Sequence, residues 1–557
     1  MKHFFLILVL LAIGVPMLVA CGEIHFLYTG APVEEETTAE IGEFTTFADL
    51  KTNISLFADL VPITISTKGY YEIGDGGAAT YRITQVMPTG IFEQIADNLW
   101  AVIETTAPVT PRQFGAYGDG INEDNIYLER AVAYAKAHNL LLVLPAGAEY
   151  YITAPLELSD VEIRSDGAKI SYWGMQRNKP AVSMGNHTTI RGSLLIWSVD
   201  NGITNHGGRC GMGFGVYESG VGVSDCYVEE VIVSGGVPDA NGILVTGDSH
   251  NIRIDRVIIP SGTNITRGIL FHWGNASDHY PVNGEYVHKE NWQPSTHPHD
   301  CSVGKVVCTD LLAPEGKQDR DNAAVAICAC YNITIEEIEC FNTYHAAEVT
   351  GADMGFEYAS AAEKSHGQKN IRFGKITATG LRGAGLYLPG YPWYITDASA
   401  KSDLHFGTVS LTAGVGNDSW GVSLHGVFAA EFEQLTLNGF GKGGMVVANS
   451  TKNLAVLQYS FVNCSGSAVA VLSAEGTAHN EGVSRNLVFT MITADSDGGA
   501  NVPLLSLRSV SGVAVKEVLF LSGTWSAVAE LRSATEVTVG TVRIEGSATV
   551  GQTIIDS

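Results

Sequence analysis

Basic residues are scarce in this chain. Against 59 Asp and Glu, its 557 residues include 33 Lys and Arg, and the formal net charge is −26. Without a basic stripe to neutralise phosphates, nucleic acid is excluded as a partner. The same acidity repels a polyuronate, so an acidic glycan requires local Lys, Arg or a metal ion where it binds. Proline is modest at 18 residues, which rules out polyproline and collagen character. After His138 no long helical periodicity is found, and no Rossmann, P-loop or Gly-x-Ser-x-Gly element occurs in a fitting context.

The one long apolar run, Phe4 to Ala20, follows Met1-Lys2-His3 in the layout of a secretory signal, and it is slightly short for a membrane span. It ends in Leu18-Val19-Ala20-Cys21-Gly22, which resembles the lipobox of bacterial lipoproteins. The resemblance implies a signal over residues 1–21, lipidation of Cys21, and export to the cell surface or periplasm on a lipid anchor. Residues 22–43, with Glu34-Glu35-Glu36, read as an acidic tether. Eight further cysteines form no zinc pattern, and no structural metal is expected from them. Cys328-Ala329-Cys330 suits core fillers at least as well as a disulfide.

What is abundant is glycine, at 62 residues, together with short β-prone runs. Residues 44–107 form a small β domain in which Gly74-Asp75-Gly76-Gly77 is expected to turn a hairpin between aromatic runs. Residues 108–557 form the main domain. It opens as strand, glycine-rich turn, a helix from Asn122 to His138 and a buried strand at Leu140–Leu144, so that the helix caps an open end. A weak repeat follows, Asn-(Ile/Leu)-x-(Ile/Val/Phe)-x-x-(Val/Ile), beginning at Asn251, Asn332, Asn370, Asn453 and Asn486. Degenerate copies read from Ser302, Asp403, Glu431, Gly512 and Glu536, with second apolar runs such as Gly242-Ile243-Leu244-Val245. Intervals of about 22 to 38 residues are the size of one coil of a parallel β-helix. The expected fold is therefore all-β: a right-handed single-stranded parallel β-helix with a short N-terminal capping helix and a small N-terminal β domain.

Phe114-Gly115-Ala116-Tyr117-Gly118-Asp119-Gly120, the helix with Ala131 and Ala135, and Val143-Leu144-Pro145-Ala146-Gly147 leading to Tyr151-Ile152 resemble the opening of the pectate-lyase-superfamily β-helix domain. Phage tailspike depolymerases and rhamnogalacturonase-like enzymes share that domain. The resemblance implies a carbohydrate partner. It does not specify a reaction, because the motif starts the solenoid and lines no groove. Homotrimers, common among tailspike relatives, are compatible with it, although no heptads are present to enforce one.

The longest interruption of the repeat is dense in chemistry: His272, Trp273, Asp278, His279, Tyr280, Trp292, His297 and His299. Elimination next to a uronate carboxylate needs a base, an acid and a cation, which His, Tyr and Lys or Arg supply. Hydrolysis needs two facing carboxyl groups, and Asp225, Asp248, Glu348 and Asp353 are the candidates, with Asp248 expected near Asp278. Trp273, Tyr280, Trp292, Tyr391 and Trp393 have the flat faces that stack on sugar rings, and Lys317 or Arg320 supplies a cation. No cofactor is required; oxygen ligands near Asp319 and Asp321 leave Ca2+ open, without an EF-hand or nonapeptide repeat. Two functions remain: a polysaccharide lyase or glycoside hydrolase working in the solenoid groove, or a non-catalytic glycan-binding, adhesive or tailspike-like receptor-binding protein.

Overall fold

A computed structural model describes residues 18–20, 23–25 and 39–556, apart from segments at 175–178, 200–209, 217–218, 237–239, 273–296, 312–321, 329, 351–368, 390–402, 449–450, 473–482 and 497–501. The chain divides into two compact units. One comprises Met1–Lys68 and Ala79–Glu104, the other Gly69–Ala78 and Thr105–Ser557.

The first unit is a five-stranded sheet with one short helix, Phe47–Asn53, capped by the Thr46 side chain, which accepts from the Asp49 amide. Its hairpin pairs Ile63–Thr67 with Thr80–Thr84. The expected strand at Tyr70-Tyr71-Glu72-Ile73 is instead irregular. Asp75 explains why: its carboxylate accepts from the amides of Tyr70, Tyr71, Glu72 and Gly77 at 2.8 to 3.2 Å, which curls the segment on itself.

The second unit is the expected right-handed parallel β-helix. Among the described residues, one sheet of 16 strands carries the long strand of each coil and another of 14 the short strand, and neighbours in each sheet are alternate strands in chain order, except that Leu142–Leu144 pairs with Glu162–Tyr172. The repeat explains the long strands. In His250–Ile259, Ile252, Ile254, Val257 and Ile259 are buried, while Asp255 and Arg256 both face out. Two outward residues in succession bend the strand, so the two x positions of the repeat mark a corner rather than a turn. At that corner in the next coil stands Gly304, where a Cβ would come within 2.6 Å of the Asp255 carbonyl oxygen. Short strands in the middle of the solenoid are buried on both faces, every residue of Ala240–Thr246 and Gly443–Ala448 included, which is why they read as unbroken apolar runs.

The repeat's asparagines all have left-handed backbones: Asn251, Asn332, Asn370, Asn453 and Asn486 have φ between 52° and 57°. Asn is among the few residues that take this conformation cheaply, and stacked coils then link their amides. Asn332 Nδ2 donates to Asp300 Oδ1 at 2.8 Å, and Asn370 Nδ2 to Asn332 Oδ1 at 3.1 Å. Two degenerate copies are out of step by two residues: Ser302 pairs with Arg253, and Glu431 with His405, so Asp300 and Ala429 occupy those rungs. Inside, like residues stack, as in Phe373, Phe406 and Phe432 with ring centroids 5.1 and 4.5 Å apart. Cys226, Cys301, Cys308, Cys328, Cys330, Cys340 and Cys464 are free thiols, all but Cys328 buried, and burial pushes the Cys301 and Cys340 thiols up to about 12.

The helix Asn125–His138 buries Leu128, Ala131, Val132 and Ala135. Ahead of it, fully buried Asp124 accepts from the Tyr117 and Gly118 amides at 2.6 and 3.1 Å, tying the glycine-rich turn to the helix start. Burial nonetheless pushes its carboxyl up to about 6.

Candidate functional site

The left-handed rungs and the residues just before them form the corner at which each long strand begins. Parallel register places His250 beside His299, and His299 beside Tyr331. The three rings form a column. His250 and His299 have centroids 4.9 Å apart and planes 2° from parallel, and His299 and Tyr331 are separated by 4.8 Å at 6°. On the next coil the Asn332 amide donates to the Lys369 carbonyl at 2.8 Å, which puts half-buried Lys369 on the rung after Tyr331.

Carboxylates hold this column. His299 Nδ1 lies 2.6 Å from Asp300 Oδ2, and its Nε2 lies 3.4 Å from Asp248 Oδ1. His250 Nδ1 lies 2.9 Å from the Asp248 carbonyl oxygen. A carbonyl only accepts, so His250 must carry its proton on Nδ1, leaving Nε2 with a lone pair. The hydrogen bond from His299, reinforced by Asn332, holds the Asp300 carboxyl below the usual carboxylate range despite partial burial. Ionised, Asp300 is an acceptor, so His299 likewise donates through Nδ1. Burial and the charges of Asp248 and Asp300 push the Tyr331 phenol up to about 12.

Of the residues expected from the sequence, Asp248 and His299 do come together. His272 ends the strand Ile265–His272, half-buried between Thr246 and Cys328 of the neighbouring short strands. His297 is buried, with 1% of its surface exposed, just ahead of His299. Glu348 is buried in register with Ala326 and Tyr387. Asp225 sits on the left-handed ladder and accepts from Asn251 Nδ2 at 3.1 Å. Cys21, Trp273, Asp278, His279, Tyr280, Trp292, Lys317, Asp319, Arg320, Asp321, Asp353, Tyr391 and Trp393 lie outside the described residues. His250, Tyr331 and Lys369 were not singled out, yet the repeat contains the signal. The residues just before Asn251, the stand-in Asp300, Asn332 and Asn370 are His250, His299, Tyr331 and Lys369 in turn.

No family model and no curated protein matches the chain. Solved structures do resemble it. The tailspike protein of E. coli bacteriophage HK620, solved in complex with a pentasaccharide, is 12% identical, with 81% of this chain and 82% of that one covered at a TM-score of 0.38. Tailspike protein 3 of bacteriophage CBA120 is 12% identical over 92% of this chain and 68% of its own, at 0.40. Tailspike gp49 of Acinetobacter baumannii bacteriophage Fri1, a capsular polysaccharide depolymerase, is 12% identical over 92% and 76%, at 0.33. The β-helix is established by this chain's own strand order, and these likenesses assign none of its residues a role.

Proposed function

We propose that this chain is an exported, lipid-anchored protein that binds an acidic polysaccharide along its solenoid and cleaves it by elimination at the His250–His299–Tyr331 corner. The observation that carries the reading is the column itself. Three successive coils stack two imidazoles and a phenol, the middle imidazole oriented by a carboxylate.

Elimination needs a base at the carbon next to the uronate carboxylate, an acid at the departing oxygen, and a positive group at the carboxylate. His299, fixed by Asp300 with its Nε2 lone pair turned away, serves as the base. Tyr331, stacked on it, holds a proton for the leaving oxygen, and Lys369 follows on the next rung to meet the carboxylate. Hydrolysis fits less well, because it requires one carboxyl to give a proton and Asp300 already accepts from both His299 and Asn332. Cys21, within its lipobox-like sequence, holds the solenoid at the membrane.

The test is to incubate the protein with neutral and uronic polysaccharides and follow both unsaturated product and new reducing ends. Both signals are expected on uronic chains. Reducing ends alone would move the reaction to hydrolysis, and binding without either signal would make the protein a glycan receptor.

A further inference from the structure

The corner cluster has more donors than proton transfer needs. A general base requires one aligned imidazole, yet His250 and His299 both have Nδ1 committed as a donor, to the Asp248 carbonyl and to Asp300 respectively. Both Nε2 atoms therefore present lone pairs, and Asp248, His250 and His299 each offer one ligand atom within 4.8 Å of the other two. His299 Nε2 and Asp248 Oδ1 lie 3.4 Å apart, a gap bridged by a positive centre, either a proton on Nε2 or a metal ion in its place. Metal–ligand bonds of about 2.0–2.1 Å at a tetrahedral ion separate neighbouring ligand atoms by roughly 3.4 Å. The outer hydrogen bonds also follow the pattern of metal-ligating histidines, which pass their second N–H to a carboxylate or carbonyl oxygen.

We propose that Asp248, His250 and His299 bind a divalent transition-metal ion of the zinc class, through one carboxylate oxygen and two imidazole Nε2 atoms. Two nitrogens and one oxygen suit zinc, copper or nickel better than calcium or magnesium, which take all-oxygen shells. Three protein ligands leave a coordination position open. Because the ion takes the His299 lone pair, metal binding and proton abstraction exclude each other, and the ion reversibly inhibits cleavage. That consequence alone rests on the function proposed above; the binding does not.

The test is calorimetric titration of the full chain with zinc chloride, with cobalt(II) absorption as a second probe. One component of the isotherm is expected to vanish in H250A and in H299A. In D300A, which removes the carboxylate that orients His299, that component should weaken roughly 10- to 100-fold. His405, which sits on the same sheet between Asp403 and Glu431, is the control, and H405A should leave the isotherm unchanged. H250Q and H299Q, checked by circular dichroism, guard against misfolding on loss of a stacked ring. An isotherm for the H250Q/H299Q double variant that matches wild type would overturn the site. Zinc bound at the cluster with cleavage undiminished would overturn the competition. Failure of every polysaccharide to be cleaved would count against the proposed function and leave the ion site standing on its isotherm.

Discussion

The imidazoles of His250 and His299 stack within 2° of parallel on successive coils, 4.9 Å between centroids, although they are far apart in sequence. The solenoid makes this neighbourhood, since any two residues one coil apart at the same rung become partners.

Replacing His299 with Gln should lower turnover on a uronic polysaccharide by about 10²- to 10⁴-fold, the usual range for a lost general base. Y331F should fall in the same range. In both variants KM should change little, because neither removes the glycan-binding length of the solenoid. H405Q is expected to match wild type, and steady-state kinetics on one purified substrate check all three.

Phe406 is 1% exposed and lies between Phe373 and Phe432 in the internal stack. F406A should cost about 3 to 5 kcal/mol, as expected for a large buried aromatic. The shift in denaturant midpoint measures it.

Asn332 has φ of 54° and donates to Asp300. N332A loses both the tolerated backbone and the hydrogen bond, and should be destabilised by roughly 1 to 2 kcal/mol. N332G should recover the backbone part only and fall between N332A and wild type in thermal melts.

Asp124 gives a pH signature. Its carboxyl titrates near 6 in the folded chain, above the roughly 3.9 of an unfolded Asp. The folded state thus holds the proton to higher pH, so this contribution is fully present below about pH 4 and is lost as pH rises through about 6. Asn at that position does not titrate. Wild type should therefore lose stability relative to D124N between pH 4 and pH 7, by at most about 3 kcal/mol, in parallel denaturation series. A difference independent of pH would contradict the buried carboxyl.

The solenoid was legible because its period is physical: every coil needs one strand that alternates, bends and alternates again, and Asn at the corner supplies the left-handed turn. The copies at Ser302 and Glu431 misled by two residues because Asp300 and Ala429 replace the marker Asn and only apolar alternation remains to align them. The site was half legible. Asp248 and His299 stood out by residue type, whereas His250 and Tyr331 sit inside ordinary repeats and gain meaning only from register across coils. Asp75 hid the true hairpin partner, since a carboxylate collecting four backbone amides competes with the strand that Tyr70 to Ile73 would otherwise form.

Elimination at the corner column is tested by the rate of unsaturated uronate formation by wild type and H299Q on the same acidic polysaccharide. Accumulation by wild type with near-complete loss in H299Q is the predicted result. Equal rates in the two proteins, or new reducing ends without unsaturation, would contradict it.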